Sequence, residues 1–113
     1  MRKSDRKLDN QIRIILTDIC ESALKDIEGF QWLTHIVNYS KFPESLKVVC
    51  VFDTNLSLDN YLESNHNDYF QSLVKSEFNK LNIQFKNSSN HVLFDSEENC
   101  DKQNNGNWVK RLS

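Results

Sequence analysis

No apolar run in these 113 residues approaches the roughly 20 residues needed to span a bilayer, so no membrane association is expected. The basic start, Met1-Arg2-Lys3-Ser4-Asp5-Arg6-Lys7, is not followed by an apolar h-region, which argues against a signal peptide. Cysteine is sparse and odd in number: Cys20, Cys50 and Cys100, with no CxxC pair. That argues against a disulfide framework and a zinc ribbon and fits three reduced thiols in a cytoplasmic protein. Asn38, Asn55 and Asn87 open Asn-x-Ser sequons, which mean nothing without secretion. Positive charge is also short. The net charge is −2 with only four arginines, so the chain as a whole makes no electrostatic case for nucleic acid.

Aromatic residues are plentiful: seven Phe, three Tyr and two Trp. Each buried ring removes a large area from water, so few are needed to hold a core. The length is that of one domain, and residues 1–113 read as a single globular unit with no repeat and no internal boundary.

Leu8, Ile12, Ile15, Leu16, Ile19, Ala23, Leu24 and Ile27 recur with a period near 3.6 and predict a first helix. Ser4 or Asp5 is the expected N-cap and Gly29 the terminator, with residues 1–7 a basic, frayed lead-in. Two strands follow, over 30–39 and 46–53, both rich in aromatic and β-branched residues. The short link between them, with Pro43 inside it, implies an antiparallel hairpin. Setting Tyr39 opposite Leu46 places Val37 against Val48, His35 against Cys50 and Leu33 against Phe52, all on one apolar face. The other face carries Trp32, Thr34, Ile36, Val49 and Val51 and also needs a cover, either a helix or another subunit. A helical turn is expected around 58–62 and a second long helix over 67–81, closed by Asn82 in the left-handed conformation. Ile83 and Phe85 start a short strand or cover the core. Residues 87–90 form a turn, 91–95 a strand, 96–106 a polar acidic loop and 108–112 a final edge strand. The order α-β-β-α-β(-β) predicts an α+β fold, with two main helices packed mainly on one face of an antiparallel sheet.

Four constellations could carry chemistry. In the expected register Cys50 neighbours His35, the minimal activated thiol, although mid-face burial favours the neutral forms of both and no oxyanion donor is near. Asp53 and Asp95 end two similar strands, Val51-Phe52-Asp53-Thr54 and Leu93-Phe94-Asp95-Ser96, with Glu97 and Glu98 behind. Were the strands parallel neighbours, those carboxylates would meet at one sheet edge and suit a divalent cation. Asp before Thr or Ser is otherwise a common turn starter. Asp101 to Gly106 resembles the start of a calcium loop, but Gln103 and Leu112 stand where acidic ligands belong. Arg2, Lys3, Arg6 and Lys7 at one terminus, with Trp108, Lys110 and Arg111 at the other, could contact phosphates and stack on bases. A solvated helix start explains the first four equally well. Cys100 lies among acidic residues that disfavour its thiolate. His66 and His91 read as residues that cap or flank elements.

The segments Glu28-Gly29-Phe30-Gln31-Trp32-Leu33-Thr34-His35, Leu46-Lys47-Val48-Val49-Cys50-Val51-Phe52-Asp53-Thr54 and Phe94-Asp95-Ser96-Glu97-Glu98-Asn99-Cys100 resemble small gammaproteobacterial proteins labelled "Fis family transcriptional regulator". The resemblance covers most of the chain and implies a bacterial cytoplasmic protein. It transfers no DNA-reading residue, because the chain ends at Ser113 without a helix-turn-helix. The leading expectation is a non-catalytic binding or regulatory module. It would be homodimeric through the second apolar sheet face, open to another protein partner, and without a cofactor. The alternatives are a nucleic-acid-associated transcriptional regulator and a small metal-dependent hydrolase or nuclease.

Overall fold

The computed structural model describes residues 2–85 and 90–113. Helix α1 spans Lys3–Asp26 and buries Ile12, Ile15, Leu16, Ile19 and Ala23, the stripe its periodicity foretold. It begins earlier than expected. Arg2 is the N-cap and provides no side-chain cap, so Ser4 and Asp5 fall inside the first turn, where Asp5 faces the positive end of the helix dipole. Residues 3–7 belong to the helix. Past the C-cap, Ile27, Gly29 takes φ +83°, and its carbonyl accepts from the Asp53 N–H at 2.9 Å. A Cβ on Gly29 would lie 2.5 Å from Ser57 Cβ, so backbone angle and close approach both demand glycine here.

Strands β1 (Phe30–Ile36) and β2 (Lys47–Phe52) are antiparallel, as the hairpin reading required. Tyr39 leaves the strand for a single 3-10 turn, Tyr39–Lys41. A bulge lies between Phe30 and Trp32, and the register pairs Leu33 with Cys50, Thr34 with Val49 and His35 with Val48. The expected pairing is therefore displaced by two residues. An even displacement keeps every side chain on its expected face while changing its neighbour.

Helices α2 (Asn55–Glu63) and α3 (His66–Asn79) fill the crossover to strand β3 (Val92–Ser96). Thr54 caps α2 by accepting from the Ser57 N–H. Asn82 follows α3 with φ 60°, and Ile83 and Phe85 are buried in the core without forming a strand. Of the expected turn at 87–90, residues 87–89 lie outside the described residues. β3 pairs with β2 in parallel, in the order β1-β2-β3. The expectation of an antiparallel sheet is corrected to a mixed one. The crossover that carries α2 and α3 is long enough to return the chain in the same direction, which a hairpin is not.

The last third departs most from expectation. The supposed acidic loop is helix α4 (Glu97–Asn104), and the supposed edge strand is helix α5 (Trp108–Leu112). Ser96 caps α4 by accepting from the Asn99 N–H, Glu97 and Glu98 sit in its first turn, and Asn105 ends it with φ 53°. Asn107 caps α5 through the Lys110 N–H. Local capping and dipole complementarity thus make helix out of a segment with little apolar periodicity.

One sheet face, with Val48, Cys50, Phe52 and Val92, is sealed by α1, α2 and α3 and forms the core with Ile12, Ile19, Phe70, Val74 and Phe78. On the other face Val49 and Val51 are also buried. Trp108 of α5 stands edge-on to Trp32 with ring centroids 4.9 Å apart. Glu97 accepts from both indoles, Trp32 Nε1 at 2.6 Å and Trp108 Nε1 at 3.0 Å. The chain's own C-terminal helices therefore cover the end of this face where β1 begins and β3 finishes. Ile36 and Leu93 stay exposed at the other end.

Candidate functional site

An open groove of about 710 Å³ lies between α1 and β1. Its helical wall carries Asp9, Arg13, Leu16, Thr17, Cys20 and Glu21, residues recurring every three or four positions along one flank. Its other wall includes the unbroken run Leu33, Thr34, His35, Ile36 and Val37. Leu33 and His35 share the face of Cys50 and Val48, and Thr34 and Ile36 the face of Val49 and Lys47. Successive strand residues point to opposite faces, so a groove lined by both sets runs along the strand's edge. β1 has β2 as its one strand partner among the described residues. On its outer side, alternate N–H and C=O groups turn away from the ladder.

A polar cluster closes one end of the groove. Asp9 Oδ1 accepts from Tyr39 Oη at 2.6 Å and from His35 Nε2 at 2.9 Å, and Asp9 Oδ2 accepts from Arg13 Nε at 2.8 Å. The Arg13 contact above all, then those of Tyr39 and His35, holds the Asp9 carboxyl well below the usual carboxylate range. The carboxylate is an acceptor only, so the His35 nitrogen facing it carries a proton. Burial, and then the Asp9 carboxylate, push the Tyr39 phenol upward. Tyr39 in turn stacks on Phe42, next to the cis Phe42–Pro43 bond. The cluster ties α1 to the far end of β1 and fixes the width of the groove there. Asp9, Arg13 and Tyr39 were missed in the sequence. The signal that could have found them is the i,i+4 acid–base spacing of Asp9 and Arg13 on the flank of an apolar stripe.

The Cys50–His35 pair does not form. The displaced register puts Leu33 opposite Cys50 and Val48 opposite His35, and His35 turns its Nε2 to Asp9. Cys50 is wholly buried, and burial pushes its thiol far up, which removes the thiolate a nucleophile needs. Cys100 is wholly buried as well, and burial raises its thiol too. Cys20 is half-buried in the groove wall and packs against the core.

The condition set for the carboxylates is met in part: β2 and β3 are parallel neighbours, and Asp95 is level with Val51. The four acids nevertheless have separate partners. Asp53 accepts from the Thr54 N–H at 2.6 Å, and its bond to Ser57 is the main cause of a lowered carboxyl pKa. Asp95 is gripped at 2.6 and 3.0 Å by Arg111 Nε and Nη2. Burial pushes its carboxyl upward, but Arg111 and the Ser96 N–H outweigh burial and lower it. Glu97 holds the two indoles. Glu98 accepts from Lys102 Nζ at 2.7 Å and from the Asn55 N–H at 3.0 Å, and the Lys102 contact leads in lowering it. No group of three metal-ligating side chains occurs among the described residues. These acids dock α4 and α5 onto the sheet and cap α2. Asp101 lies within α4 and Gly106 beyond its cap, so they do not form an open cation loop.

The basic residues fall into two separate sets. Arg2, Lys3, Arg6 and Lys7 are exposed at the start of α1, near the end of β1 where Asp9 meets Tyr39. Trp108 and Arg111 sit on the opposite sheet face at the other end, committed to Glu97 and Asp95, and of that set Lys110 is exposed. His91 donates from Nδ1 to the Leu46 carbonyl at 2.7 Å and stacks on Phe85, which makes it a buried strand-flanking residue. Of His66 only the backbone, at the start of α3, is described. Among the described residues no helix is long and apolar enough to cross a membrane.

No protein-family model, curated protein or solved structure matches the chain.

Proposed function

We propose that this chain is a non-catalytic binding module that takes an extended polypeptide strand along the outer edge of β1, in the groove roofed by α1. The observation that carries this is the composition of the edge. Residues 30–37, Phe-Gln-Trp-Leu-Thr-His-Ile-Val, contain no Lys, Arg, Asp, Glu or Pro. Sheet proteins protect free edges from further pairing with such charges and prolines. An unprotected edge beside a groove is the arrangement used in strand addition: main-chain hydrogen bonds provide affinity, and side-chain pockets provide selectivity. The apolar floor of the groove at Leu16 and Leu33 suits an apolar side chain on the added strand. Arg13, Glu21, Thr17 and Thr34 offer polar contacts beside it.

The cysteine and carboxylate sites each lack a feature catalysis would need, an accessible thiolate in one and free carboxylates in the other, so a binding role has the stronger support. The test is selection from a displayed library of unstructured ten-residue peptides, followed by amide hydrogen exchange on the complex. The expected result is new protection confined to alternate amides of residues 32–37. Selected peptides that protect another surface, or a library that yields no binder, would overturn the reading.

A further inference from the structure

Strand addition at β1 leaves open whose strand is added. We infer that it is β1 of a second copy of this chain, arranged about a two-fold axis normal to the sheet; this rests on the reading of the β1 edge given above. Such an axis pairs the two β1 strands antiparallel, gives a continuous six-stranded sheet, and places the two α1 helices side by side on one face. A two-fold interface must be self-complementary, with each residue meeting its counterpart's partner.

The groove wall has this property. Arg13, Thr17 and Glu21 stand in a row at four-residue steps on α1, all exposed. Turning that row about Thr17 sets each Arg13 against Glu21 of the second copy and the two Thr17 side chains against each other. Glu21 has no ion-pair partner within its own chain among the described residues, and the Arg13 side chain is 68% exposed although its Nε is held by Asp9. The exposed apolar residues Ile14 and Leu24 flank the same row and would lose water on pairing.

The strand agrees with the helix on where the axis passes. Asp9 is level with the stretch between His35 and Tyr39, to which it bonds. Eight helical residues from Asp9 to Thr17 advance about 12 Å. The same distance back along the chain from that stretch is roughly three to four strand residues, which reaches Leu33 and Thr34. One axis near Thr17 and Thr34 therefore serves both elements, in the middle of the uncharged run of β1. The interface lies apart from the second sheet face, one end of which α5 already covers.

The test is the mass of the full chain in solution, by light scattering across a concentration series up to hundreds of micromolar. The wild type is expected at twice 13.3 kDa. Glu21→Lys faces Arg13 of the second copy with a like charge twice per dimer and is expected to raise the dissociation constant about tenfold or more. Thr34→Lys puts two ammonium groups beside the axis and acts in the same direction. Glu21 is exposed and Thr34 half-buried, and circular dichroism checks that the fold is retained in both variants. Leu93→Lys, on the uncovered part of the other face, should leave the dimer intact. A monomeric wild type at the highest concentration overturns the inference, as does a dimer that Glu21→Lys and Thr34→Lys leave unchanged or that Leu93→Lys breaks. Failure here is separable from failure of the strand-addition reading: a monomer whose β1 amides are protected by a selected peptide still adds strands, only not its own.

Discussion

Replacing Trp108 with Ala tests whether α5 is the cover of the second sheet face. Trp108 is half-buried, meets Trp32 edge-on at 4.9 Å and donates to Glu97 at 3.0 Å. Removing a half-buried indole returns on the order of 100 Å² of apolar surface to water, about 2.5 kcal/mol at the usual area coefficient. The aromatic pair adds about 1 kcal/mol. The lost indole hydrogen bond is offset by water reaching the Glu97 carboxylate. The expected loss is about 3.5 kcal/mol, which for a chain of this size lowers the melting temperature by roughly 14 °C. The assay is thermal and urea unfolding followed by far-ultraviolet circular dichroism. Val49 and Val51 become accessible in the variant, so it should also bind a hydrophobic dye more strongly than the wild type. A loss below about 1 kcal/mol, the range of ordinary surface substitutions, would refute the claim that α5 covers this face.

Gly29→Ala should cost about 2–3 kcal/mol in urea unfolding, because its Cβ meets Ser57 Cβ at 2.5 Å with φ at +83°; an unchanged midpoint would contradict the close approach. Native protein treated with iodoacetamide should alkylate Cys20 first while the sealed Cys50 and Cys100 react only on unfolding, and rapid native labelling of Cys50 detected by mass spectrometry would refute its placement. Asp9→Asn should destabilise by about 2 kcal/mol at neutral pH, since it removes a charged acceptor shared by three donors. The Asp9 carboxyl is lowered on folding, so its contribution is full above the unfolded carboxylate value and fades as pH falls below about 4. The gap in melting temperature between wild type and variant should therefore narrow in acid; a gap constant with pH would contradict the assigned contacts.

Some of this architecture was legible in the residues. The stripe of α1, the antiparallel β1–β2 pair and the left-handed Asn82 follow from periodicity and turn chemistry, which are local. The register was displaced because Tyr39 was assigned to the strand, whereas Asn38 accepts from the Ser40 N–H and turns the chain there. The bulge after Phe30 left no mark in the pattern. The direction of β3 could have been read from the length of the crossover before it. Helices α4 and α5 were missed because they are held by caps and by long-range bonds from Glu97, Glu98 and Arg111. Such bonds have no periodicity in sequence. For the same reason the carboxylates looked like a metal site: acids that dock helices and acids that hold a cation are identical until their partners are known. The groove was invisible because it arises from two faces of one strand meeting the flank of the helix before it, and periodicity reports only the face each element buries.

The most direct test of the central claim is residue-resolved amide hydrogen exchange along β1 as the protein concentration is raised, or as a selected strand peptide is added. Strand addition at β1 slows exchange at alternate amides between Trp32 and Val37 and leaves the amides already paired to β2 unchanged. Exchange at those outward amides that stays fast under both conditions would show that the edge takes no strand and would contradict the account.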